Sequence, residues 1–237
     1  MGISDLIPGV SGGTIALITG IYNDFIHSLN NIKLNNIIKL FEGNFLTNLT
    51  YFKFDILFTI ILGIISSIII FSQLISNAID IHPTKVFSFF FGLILASIPY
   101  IIRGISLFKI KNFVIFIASI ILTTTILSLG YFENENNTIF YIFFSGFICS
   151  CAMILPGISG AYILLILNSY DFILQKLNDF LNNFEFEDFK WILIFIIGII
   201  TGVLTFSKFV KFLLNKFKEA TIVSLTGLII GSLPKLY

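Results

Sequence analysis

The 237-residue chain is 57% hydrophobic and only 11% charged, with a net charge of +1 and a mean hydropathy of +1.00. That usage lies outside soluble domains and inside helical membrane proteins. Its 14 Lys and Arg are scattered along the chain, which excludes a nucleic-acid surface.

The chain opens on MGISDLIPGVSGGTIALITGIY, which carries neither a basic leader nor a small-residue cleavage site. The first membrane segment is therefore expected to act as its own signal. Pro8, Gly9, Ser11, Gly12 and Gly13 interrupt an apolar run, so a broken helical hairpin is expected over 1–30. An Asn- and Lys-rich connector, 31–54, follows. Apolar runs long enough to cross a hydrocarbon core, which takes about 20 helical residues, fall near 55–76, 86–102 and 112–131. A second broken hairpin is expected over 139–170, and two further spans near 191–207 and 220–234. The expected fold is an all-α polytopic membrane protein with two re-entrant hairpins and about five full spans.

The second hairpin repeats the first. Residues 155–178, LPGISGAYILLILNSYDFILQKLN, match 7–30 at an offset of 148, with ten of 24 positions identical, Pro, Gly, Ser, Gly and Tyr among them. Downstream, at an offset of 135, 61–72 matches 196–207 and 91–99 matches 226–234. Apolar drift does not place helix-breaking residues in one register twice, so an internal duplication is expected. The first repeat covers 1–105, a linking segment 106–138 holds the span near 112–131, and the second repeat covers 139–237. Connectors 31–54, 103–111 and 208–219 hold ten Lys and Arg, whereas 77–85, 132–138 and 171–190 hold three. Basic connectors collect on the cytoplasmic side. Three spans between the copies then invert the second relative to the first, the inverted-repeat plan of secondary transporters.

Helix breakers at membrane depth leave N–H and C=O groups that only protein or a wet cavity can satisfy. Ser11 fits an N-cap, with Gly12, Gly13 and Thr14 opening the next half-helix. Such a start presents N–H groups and a positive dipole end to an anion, and its small residues allow close approach. The second copy offers Pro156, Gly157, Ser159 and Gly160, with Tyr162 in place of Thr14. Two such starts meeting would hold a phosphate-sized anion. The competing reading, glycines that only pack helices, is weakened by the recurrence of the whole motif.

Asp5 is the acid beside the first break, and a carboxylate at membrane depth costs of order 2.5–3.5 kcal/mol on insertion scales. Two readings stand: a coupling-proton site, or a solvated helix start at the interface. Arg103 reads as a positive-inside anchor ahead of a phosphate ligand, and Tyr22 and Tyr170 read as interfacial aromatics. Cys149 and Cys151 read as small buried residues without a redox role. His27 and His82 lack acidic neighbours at metal-ligand spacing, so neither a metal nor a cofactor is expected.

SDLIPGVSGGTIALITGIY, the later AMILPGISGAYILLILNSY and FGLILASIP together resemble the bacterial polyprenyl-phosphate transporter family, long classed as a domain of unknown function. The resemblance runs over essentially the whole chain. It implies a flippase of the cytoplasmic membrane that returns undecaprenyl phosphate, the carrier of cell-wall sugars, to the inner leaflet. A lipid-linked phosphate and the membrane lipids are the partners so implied. The family's first motif falls on Asp5, Pro8, Gly9, Ser11, Gly12, Gly13 and Thr14, and its second on Pro156, Gly157, Ser159 and Gly160. Family members usually begin with a further stretch before the first motif and continue past the Ser-Leu-Pro element. A small-anion channel is the alternative the residues leave open. An intramembrane lipid phosphatase is less favoured, because neither histidine lies near a motif and no catalytic residue is expected.

Overall fold

The computed structural model describes residues 1–5, 10–40, 45–107, 109–129, 138–183 and 186–236, and among these every regular element is helical. The stretch expected as the first hairpin, 1–30, holds α1 (Gly2–Asp5), α2 (Gly12–Ile18) and α3 (Tyr22–Asn30). Two short helices, α4 (Leu34–Leu40) and α5 (Phe45–Tyr51), fall within the connector after it. Long helices α6 (Phe54–Ile81), α7 (Pro83–Ile101) and α8 (Ile110–Ser128) follow. The stretch expected as the second hairpin, 139–170, holds α9 (Ile139–Ile154) and α10 (Gly160–Ile166), and α11 (Tyr170–Asn183) begins at its end. The chain then runs through α12 (Phe186–Lys216), α13 (Lys218–Ser232) and a 3-10 turn at Leu233–Leu236.

Three helices, α7, α8 and α12, are long and apolar enough to cross a membrane, and α6 makes four when its two halves count as one span. These are the segments expected at 55–76, 86–102, 112–131 and 191–207. The segment expected at 220–234 is α13 and the turn after it, and its 15 helical residues fall short of the ~20 of a crossing. α6 bends by 50° between Phe54–Ser67 and Ile69–Ile81. The bend falls just after Gly63, Ser66 and Ser67, where both serine hydroxyls donate back to carbonyls one turn earlier, a pattern that favours bending.

Of the segments expected as connectors, 77–85, 171–190 and 208–219 are largely helical, 103–111 is mostly turn, and 132–138 lies almost wholly outside the described residues. The stretch 77–85 is the end of α6, His82 and the start of α7, while 208–219 is the end of α12, Phe217 and the start of α13. Polar residues do not end a helix by themselves. Here α6 stops because Pro83 occupies the first position of the next helix and restricts the residue before it.

Several helix bounds correspond between the stretches that match in sequence. α2 and α10 correspond at an offset of 148, as do the starts of α3 and α11, and Pro83 and Lys218 begin α7 and α13 at an offset of 135. The residues turning the chain before α7 and α13 share a conformation, His82 at φ −136°, ψ 55° and Phe217 at φ −133°, ψ 45°. Both half-helices end on a left-handed residue, Gly20 (φ 79°) and Asn168 (φ 49°), which lets the chain leave the helix sharply. At the centre, Ala16, Tyr22, Ile26, Ile154, Val210 and Leu228 pack together, joining α2, α3, α9, α12 and α13 in one core.

Candidate functional site

The first break builds a helix start that is already filled. Ser11 has extended backbone (φ −101°, ψ 137°), and its hydroxyl accepts from the Gly13 N–H at 3.2 Å, the cap expected from sequence. The Gly12 N–H donates to the Asp5 carboxylate at 2.7 Å. An added Cβ on Gly12 would lie 2.7 Å from both carboxylate oxygens, so glycine is what lets the acid come this close. Asp5 thus sits where an anion is favoured by N–H groups and dipole. Pro8 and Gly9 lie outside the described residues.

The second break has the same backbone and a different filling. Ser159 has φ −98°, ψ 130°, but no side chain caps α10. In repeat register, Met153 stands where Asp5 stands, and an added Cβ on Gly160 would lie 2.5 Å from the Met153 side chain. Pro156 is fully buried. Gly157, at φ 86°, is pressed against α13, where a Cβ would come within 2.7 Å of the Leu228 carbonyl oxygen. Both the conformation and the space require glycine there.

The two breaks meet. The Gly157 N–H donates to the buried Thr14 hydroxyl at 2.9 Å, across 143 positions of sequence. Gly13 faces the chain at Ile154 and Leu155, where its Cβ would lie 3.3 Å from the Ile154 carbonyl oxygen. That carbonyl also accepts from the Tyr22 hydroxyl at 3.1 Å. Tyr22 is therefore not an interfacial aromatic: it is 2% exposed and ties the first hairpin to the end of α9. Its apolar ring fills the core, and its one polar atom finds a carbonyl that α9 cannot pair internally.

Other expected site residues lie elsewhere. The Tyr162 hydroxyl turns to α8 and donates to the Leu127 carbonyl at 2.8 Å. Arg103 is exposed in the turn after α7 and makes no ion pair among the described residues. Of the thiols, Cys149 is buried and Cys151 half-buried. Each hairpin is also tied to the long helix behind it by an ion pair of opposite sense. In the first copy Asp24 on α3 meets Lys53, just before α6, at 2.6 Å; in the second Lys176 on α11 meets Asp188 in α12 at 2.8 Å. Residues 53 and 188 are equivalent at the offset of 135, and neither pair was foreseen from sequence.

Fold and site define a helical membrane protein in which two broken segments pack on each other. The chain belongs to the undecaprenyl phosphate translocase-like family, whose model matches residues 1–237. It is 37% identical to a polyprenyl-phosphate transporter of Vibrio cholerae serotype O1, over 100% of this chain and 74% of the relative. It is 31% identical to a polyprenyl-phosphate transporter of Staphylococcus aureus, over 98% of this chain and 81% of that relative. Both relatives are named as transporters rather than enzymes. No solved structure matches the chain significantly.

Proposed function

We propose that the chain is a flippase of polyprenyl phosphate in the bacterial cytoplasmic membrane, crossing it several times and returning undecaprenyl phosphate to the inner leaflet for reuse in envelope synthesis. The observation that carries this reading is the bond between Gly157 and Thr14, which brings two helix starts with small residues into one core. The names of the two relatives supply the substrate class. A repeat, 1–105 against 139–237 about the linking segment 106–138, is supported by the corresponding helix starts and the matched turns at His82 and Phe217, and its inversion by the distribution of Lys and Arg among the connectors.

In this reading the phosphate lies between Gly12, Gly13 and Thr14 on one side and Ser159 and Gly160 on the other, with Pro8, Gly9, Pro156 and Gly157 shaping the turns. The uncapped start of α10 receives it first. Asp5 holds the Gly12 N–H until a phosphate oxygen replaces its carboxylate there. Two anions at one donor repel, so the displaced carboxylate takes up a proton, which couples headgroup movement to proton movement. Tyr162 fixes α10 against α8, and Arg103 anchors the cytoplasmic turn.

Leaflet exchange in proteoliposomes tests the reading. With a fluorescent polyprenyl phosphate, the wild type is expected to exchange it rapidly while leaving phosphatidylglycerol in place, and Ser11→Ala with Ser159→Ala to slow that exchange. A folded protein that moves neither lipid, or both equally, would overturn it.

A further inference from the structure

A cavity of about 400 Å³ opens beside the first break, walled by α1, α2, α6 and α7. Ile3, Ile15, Ile60 and Phe90 line it, one from each of those helices. Gly2 lets α1 lie against the bend of α6, since a Cβ there would come within 2.7 Å of the Ile64 Cα and the Ser67 hydroxyl oxygen. Gly63 also lines the cavity, and nothing lies within 4 Å of a Cβ built on it.

The polar groups of the lining face their own backbone. Ser4 donates to the Met1 carbonyl, Thr59 to that of Asp55 at 2.7 Å and Ser67 to that of Gly63 at 2.6 Å. No Asp, Glu, Lys, Arg or His side chain lines the cavity among the described residues. With its hydroxyl donors occupied and no side-chain charge, the cavity suits a hydrocarbon rather than a polar ligand.

Its place joins it to the candidate headgroup site. Ser4 precedes Asp5, whose carboxylate takes the Gly12 N–H, and Ile15 lies three residues after Gly12, about 4.5 Å along α2. Ile3 and Ile21, 39% and 37% exposed, bring the lining to the surface, so a chain tethered at Gly12 can lie in the cavity and leave sideways into the bilayer.

We propose that this cavity seats the first isoprenoid units of the lipid whose phosphate lies at the first break, and that Gly63 selects a branched chain. The inference rests on the transport reading. The open space at Gly63 gives a methyl branch a place that a straight acyl chain leaves empty, and an unfilled gap forfeits dispersion contacts.

The test uses the full chain in detergent micelles and geranyl phosphate carrying a diazirine on its terminal five-carbon unit, with cross-linked positions mapped by mass spectrometry. Labels are expected at Ile3, Ile15, Ile60 and Phe90, several-fold more than from decyl phosphate with the same group. Gly63→Leu, which fills space without meeting a neighbour, is expected to cut the labelling about tenfold, within the range one misfitted carbon group commands in an apolar pocket. Circular dichroism checks that this variant keeps its helices. Absent labelling, labels confined to outward positions such as Phe58 and Phe89, equal labelling by decyl phosphate, or labelling that Gly63→Leu leaves unchanged overturns the proposal without touching the headgroup reading. Diazirine-bearing geraniol separates the two: cavity labelling as strong as that by geranyl phosphate would uphold the isoprenoid cavity while contradicting a phosphate site beside it.

Discussion

Ser11 and Ser159 sit in nearly the same backbone conformation, yet only Ser11 caps its helix, and only its copy has an acid in the register of Asp5. One break is closed by its own hydroxyl and carboxylate; the other ends against Met153 and has no side-chain cap. The difference teaches that a recurring motif can keep its backbone at the serine while what fills the helix start changes with the residue in the register of Asp5. In the transport reading the closed break keeps the protein stable without substrate, and the open one meets the headgroup.

The comparison can be broken most forcefully at Gly157. Gly157→Ala demands both a left-handed alanine and a displaced Leu228 carbonyl, and a loss of about 3 kcal/mol is expected as a lower thermal midpoint in detergent. Gly20→Ala keeps the first cost but meets open space, so about 1 kcal/mol is expected there. Equal losses at the two sites would remove the argument that close packing on α13 fixes the second break.

The ion pairs come next. Asp188 and Lys176 are 7% and 25% exposed, whereas Asp24 and Lys53 are 49% and 44% exposed. Asp188→Asn is expected to cost about 2 kcal/mol, since it leaves a partly buried lysine without its nearest carboxylate. Asp24→Asn is expected to cost under about 1 kcal/mol. Denaturant titration of both variants would show the asymmetry, and its reversal would mean that exposure does not control these links.

The sharpest contrast lies in the caps. Ser11→Ala is expected to lower stability by about 1 kcal/mol, because a capping bond is lost. Ser159→Ala, with no capping bond to lose, is expected to leave stability unchanged and to slow lipid exchange instead. The smallest effect is a pH dependence away from the breaks. Glu219 is held below its ordinary value of 4.5, first by the hydrogen bond from Asn112 and then by that from Lys109. A lowered carboxyl contributes stability above its unfolded range and loses it as pH falls through the lowered value. The slight loss of stability below about pH 4.5 is therefore expected to shrink in Glu219→Gln, as read by thermal midpoints across acid pH.

Most of the helices, and the start of a new helix after each break, were legible because Pro, Gly and Ser punctuate an otherwise uniform apolar chain. Ser11 as a cap was legible for the same reason, since its partner is two residues away. Tyr22 was misread because its hydrogen-bond partner lies 132 positions away, and nothing local separates a buried tyrosine from an interfacial one. The reversed ion pairs were hidden because each joins residues from different helices. Gly92 and Gly227 carry the same local signature and opposite packing, so sequence shows a helix-packing stripe without showing whether a helix fills it. Helix ends were displaced because hydropathy marks apolar length, while caps and prolines mark where a helix stops.

Retention of polyprenyl phosphate by the purified protein, read by native mass spectrometry, tests the central claim that the joined breaks form the headgroup site. The wild type is expected to keep the lipid after detergent removal, Ser159→Ala to lose most of it, and Thr14→Val, which removes the hydroxyl that accepts from Gly157, to lose it as well. Folded variants that hold the lipid as firmly as the wild type would place the headgroup elsewhere and contradict the account.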